Sequence, residues 1–82
     1  MIYVLTRSHE QFRSFCIDAK TSHNNPNFKF VSRERDLRGI RNFPLIRYGQ
    51  YWMHPEYVEL ERMLPTLNPI SIKLTKGEEN EH

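Results

Sequence analysis

Ile2-Tyr3-Val4-Leu5-Thr6-Arg7-Ser8-His9-Glu10-Gln11-Phe12 sets the reading of this chain. Its first four residues are an unbroken apolar run of strand formers. A strand that is apolar on both sides is covered on both sides, so Ile2–Leu5 is predicted to lie inside a sheet. Polarity then changes within one residue. Ser8, with Gln11 three positions later, is a capping box for the first N–H groups of a helix. Phe12, Phe15, Cys16 and Ala19 follow at i, i+3, i+4 and i+7, one face of a helix. Arg13, Ser14, Asp18 and Lys20 fall off that face. The pattern predicts a helix over Ser8–Lys20.

The rest of the chain repeats the alternation. Thr21–Asn27, with Asn24-Asn25-Pro26 at its centre, reads as a loop. Phe28–Val31 alternates as a second strand. Ser32 is placed to cap a short helical turn over Arg33–Arg38, closed by Gly39. Phe43–Tyr48 is a third strand, with Pro44 near its start where a missing N–H does least harm. Gly49–His54 reads as a loop, and Pro55 suits the first position of a helix. Tyr57, Leu60 and Leu64 share one face of that helix, Glu56, Glu59 and Glu61 turn outward, and Pro65 is expected to end it. After the Asn68-Pro69 turn, Ile70, Ile72 and Leu74 alternate with Ser71, Lys73 and Thr75 as a half-buried edge strand.

Strands alternating with helices argue for an α/β fold: a small, mostly parallel sheet of about four strands, Rossmann-like, with two main helices and a short third. The direction of the last strand stays open. With 82 residues, one domain over residues 1–75 is expected, followed by an acidic disordered tail over 76–82. Five Phe, four Tyr and one Trp can give so short a chain a real core. No apolar window is long enough to span a membrane, and Met1–Leu5 lacks the basic flank of a signal peptide. One cysteine cannot form an internal disulfide, so the cytoplasm is the expected compartment.

The net charge of +2 hides an asymmetry, because three of the ten acids sit in the tail. Residues 1–77 carry twelve bases against seven acids, or +5, and eight of those bases are arginine. Arginine suits planar, bidentate contact with carboxylate or phosphate.

A family resemblance accompanies these features. The apolar start IYVLTRS running into a helix with Gln11, the strand and turn FVSRERDLRGIR, the glycine–aromatic loop YGQYW and the P-E-Y helix start resemble small tailed-phage proteins of unassigned function, over about residues 1–64. The resemblance implies a phage origin, an α/β fold and a host-cell cytoplasmic setting. It brings no catalytic residues.

Several constellations carry possible chemistry. Thr6, Arg7 and Ser8 stand where a strand meets a helix N-terminus, a place that favours an anion. No glycine-rich loop accompanies them, so the simpler reading is a well-capped helix. Asp36 follows the second strand, where dinucleotide-binding folds place an acid for ribose, but the preceding fingerprint is missing. Arg33, Arg35, Arg38, Arg41 and Arg47, followed by Tyr48, Tyr51 and Trp52, mix basic and aromatic groups as nucleic-acid and protein-binding surfaces both do. Trp52 is divided between a core role and a surface anchor. His9, His23, His54 and Cys16 lack metal-ligand spacing, and no nucleophile has a partner base.

The expected function is therefore non-enzymatic: docking on a host or phage protein through Arg7, Arg35, Arg38, Tyr51, Trp52 and His54, which an open parallel sheet gathers at one edge. No cofactor, metal or membrane partner is expected, and the oligomeric state is not legible. Nucleic-acid binding through the Arg33–Arg47 segment, and a small nucleotide or phosphate at the first helix N-terminus, are the alternatives.

Overall fold

The computed structural model describes residues 1–72, so the tail over 76–82 and the end of the last expected strand lie outside the described residues. Four strands, β1 (Ile2–Leu5), β2 (Phe28–Phe30), β3 (Pro44–Arg47) and β4 (Ile70–Ile72), form one sheet in the order β2-β1-β3-β4. Every pairing is parallel, β4 included. Helix α1 (His9–Asp18) links β1 to β2, and helix α2 (Tyr57–Leu67) links β3 to β4. Short 3-10 turns lie at Glu34–Leu37 and Tyr51–Met53.

The two helices cover opposite faces because side chains alternate along each strand. Val4 and Ile46 point to the face holding Phe12, Phe15 and Cys16 of α1. Leu5 and Leu45 point to the other, against Leu60, Leu64 and Leu67 of α2. Right-handed crossovers that leave β1 and β3 in opposite directions require this arrangement. Each fully buried Leu or Phe contributes about 1.5–3 kcal/mol, so two half-cores, each too small alone, stabilise the sheet between them. Val31 and Leu37 extend the α2 side, where the segment after β2 crosses over β1.

Several expectations are corrected. Helix α1 is shorter than Ser8–Lys20: Ser8 is its N-cap, its hydroxyl accepting from the Gln11 N–H, and Ala19 is its C-cap. Ala19 is exposed, because the chain has left the helical stripe and Lys20 turns at φ +57°. Pro55 precedes α2 rather than opening it, and Tyr57 is the first helical residue. Pro65 lies inside α2 instead of ending it. Proline there forfeits one N–H bond only one turn from the end. The helix closes at Asn68, whose left-handed φ of 55° lets its N–H reach the Leu64 carbonyl. Ser32 does not cap the turn after β2; the Asp36 carboxylate takes that role from inside the turn. Strand β4 is at an edge as expected but is not half-buried, since Ile70, Ser71 and Ile72 are all exposed. Ile72 shares the α1 side with Ile46, and α1 sits over β1 and β2, too far across the sheet to cover it.

Candidate functional site

In a parallel sheet the carboxyl ends of all strands share one edge. Here the order reverses between β1 and β3, which opens a crevice at their ends, the usual ligand position in such folds. Three loops meet at this edge: Thr6–Ser8 after β1, Val31–Arg38 after β2 and Tyr48–Glu56 after β3.

Gln11 occupies the crevice. Its side-chain oxygen accepts from the backbone N–H of Arg7 at 2.8 Å and of Gln50 at 3.1 Å, and its amide nitrogen donates to the Gln50 side chain at 3.3 Å. The capping box thus reaches one residue further back than its usual form and also binds the β3 loop. Gly49 makes this possible. Its φ is +65°, and a Cβ there would stand 2.5 Å from the Gln11 amide.

The other two loops are joined by His54 and Glu56. His54 is only 5% exposed. Its Nδ1 accepts from the Glu56 N–H at 2.9 Å, which leaves Nε2–H to donate to the Val31 carbonyl at 2.9 Å. The neutral tautomer is therefore fixed by its neighbours. The Glu56 carboxylate accepts from the Glu34 N–H at 2.8 Å, and the Asp36 carboxylate accepts from the N–H groups of Ser32 and Arg33 at 2.9 and 3.1 Å. Asp36 is thus committed to its own turn and not offered to a ribose.

The expected surface residues divide accordingly. Arg7 and Arg35 are exposed at the rim, and Trp52 is a surface residue at 50% exposure, with Met53 beside it at 54%. Tyr51 is half-buried and packs edge-on to Trp52 with ring centres 5.2 Å apart. Arg38 is ion-paired with Glu34, which raises its guanidinium pKa further. His54 is not part of the surface: it faces inward, because two backbone groups recruit its ring. Met53 is a rim residue with no place in the expected site, and Arg33, expected only as part of the Arg33–Arg47 basic segment, is exposed on the same rim. Met53 directly follows Trp52 on a 3-10 turn too short to bury both.

The arginine run does not stay together in space. Arg47 lies on the α2 face, donating to Glu61 and Ser71, both at 3.3 Å. Arg41 precedes β3, at the opposite edge of the sheet from the rim. The anion position at Thr6, Arg7 and Ser8 is likewise taken up internally: Thr6 is buried with its hydroxyl on the Ser8 carbonyl, and the Arg7 N–H serves Gln11.

Among the described residues no cluster of His, Cys, Asp and Glu could hold a metal, and no helix is long and apolar enough to cross a membrane. Cys16 is buried on the inner face of α1, and its desolvation pushes the thiol above its ordinary pKa of 9.0. Desolvation, then the nearby Glu61 and Tyr51, push the Tyr57 phenol above 10.0. Groups held neutral by the fold lend stability that is complete below their unfolded pKa and is lost as pH rises through the folded one. A melting series from about pH 8 to about pH 11 should therefore show stability falling past about pH 9. Iodoacetamide should label Cys16 far faster in denaturant than in the folded protein.

Comparison with protein-family models, curated proteins and solved structures finds no match for this chain.

Proposed function

We propose that this chain is a non-enzymatic docking module that seats its strand-end rim on a host protein in the cytoplasm. One observation carries the choice of a protein over a phosphate ligand. The backbone N–H groups of Arg7, Gln50, Ser32, Arg33 and Glu34 already donate to the side-chain oxygens of Gln11, Asp36 and Glu56. Phosphates are ordinarily gripped by such N–H groups, and these five are already engaged. What it does offer is Trp52 and Met53, two large apolar side chains in the open. Anchors of that kind, with exposed arginines on the neighbouring loops, are the residue types enriched at protein interfaces. The loops that carry them are tied to one another, so the surface is formed before binding and little ordering entropy is lost. The resemblance of residues 1–64 to phage proteins supports a partner from the host.

Affinity capture from host lysate, followed by titration with the purified partner, tests the reading. Trp52→Ala protein that remains folded should lose at least about 2 kcal/mol of binding, since a central anchor is worth that much. Undiminished binding by that variant would sink the proposal. Single-stranded and duplex nucleic acid should bind no better than about micromolar and fall off steeply with salt. Sub-micromolar, sequence-selective binding at about 0.15 M salt, lost in Arg35→Ala, would favour a nucleic-acid function instead.

A further inference from the structure

We infer that the partner segment seated on the rim carries carboxylates together with an apolar side chain. The inference rests on the docking reading above and adds the chemistry of the partner. Arg7, Arg33 and Arg35 are exposed, one on the loop after β1 and two on the loop after β2, and none forms an ion pair among the described residues. Guanidinium groups only donate hydrogen bonds, so the partner must supply acceptors, and the planar fork matches a carboxylate.

The rim's own acids do not meet that need. Asp36 and Glu56 are turned onto backbone N–H groups, and Glu34 is held by Arg38. The loop after β3, tied to both arginine-bearing loops through Gln11 and His54, brings Trp52 and Met53 to the same edge. The complement is a segment that carries both an apolar side chain and acids. A lysine- or arginine-rich segment is repelled.

Trp52 is the only tryptophan in the chain, so its emission reports occupation of the rim directly. The probes are a random glutamate–tyrosine copolymer, a lysine–tyrosine copolymer and oligothymidylate, added to the full chain with excitation where tyrosine does not absorb. The glutamate–tyrosine copolymer should shift Trp52 emission to the blue, and the other two should leave it in place. In Arg7→Glu/Arg35→Glu protein, affinity for that copolymer should fall at least about tenfold, because two charge-assisted contacts become repulsions. Arg33→Glu is the independent second variant, expected to weaken binding in the same direction. Equal response to the lysine copolymer, tighter binding of oligothymidylate, or unchanged affinity in both arginine variants would overturn the inference. A captured partner lost by Trp52→Ala but kept by the arginine variants would sink this inference alone. A partner kept by Trp52→Ala would remove the docking reading beneath it.

Discussion

Phe15→Ala should destabilise the protein by about 3–5 kcal/mol, the range for deleting a fully buried aromatic side chain from a core. Phe15 is 1% exposed and sits at the centre of the α1-side cluster. Its ring packs edge-on to Phe28 at 5.5 Å and to Tyr48 at 5.4 Å, and stacks with Phe12 at 6.2 Å. It therefore binds the helix to strand β2 and to the end of β3 at once. No neighbour can collapse into the space without dragging one of those elements with it. A single domain has only about 5–15 kcal/mol in total, so the loss is a large share of what the fold has. Thermal unfolding should drop by roughly 15 °C or more for a chain of this size. A shift of only a few degrees would mean that α1 is held by something other than this cluster.

The second large effect is expected at His54, for a different reason. His54→Ala removes both partners of a buried bridge at once. The Val31 carbonyl loses its donor and the Glu56 N–H loses its acceptor. Leaving a buried polar group unpaired costs about 1–3 kcal/mol each, and the missing ring adds a cavity, for roughly 3–5 kcal/mol together. His54→Gln, which keeps a donor within reach of Val31, should recover part of this. Chemical denaturation of the two variants side by side measures the difference. Equal loss in both would assign the whole effect to packing, and the bridge would carry none of it.

The elements that were legible in the sequence are those whose pattern is local. Ile2–Leu5 and the Phe12, Phe15, Cys16 stripe announce a covered strand and a helix on it, and the sheet has β1 paired on both sides. Pro65 was misread because its cost depends on how many turns follow, and here the helix needed one turn more to bury Leu67. The alternation of Ile70 and Ile72 correctly gave a strand, but alternation reports only that one side is apolar. Whether anything covers that side depends on where α1 lies across the sheet, which no local spacing encodes. At the rim the arginines and Trp52 were visible as residue types. His54 looked equivalent to them because a histidine before a proline gives no sign of which way it faces. Its inward turn is set by a carbonyl 23 positions earlier in the chain. Gln11 was recognised as a cap, while its second role across the crevice required a partner loop 39 positions away.

The all-parallel sheet also dictates how this protein is to be held in a binding experiment. Every strand starts at one edge and ends at the other. Met1, exposed just before β1, therefore stands on the side away from Arg7, Arg35 and Trp52. A bead or sensor surface attached at Met1 leaves the arginine–tryptophan edge facing solution. Attachment through an Ile72→Cys side chain, at the end of β4, brings the support to the edge where the partner has to land. A partner that registers in one orientation and vanishes in the other would thus map the contact to the strand ends before any side chain is changed.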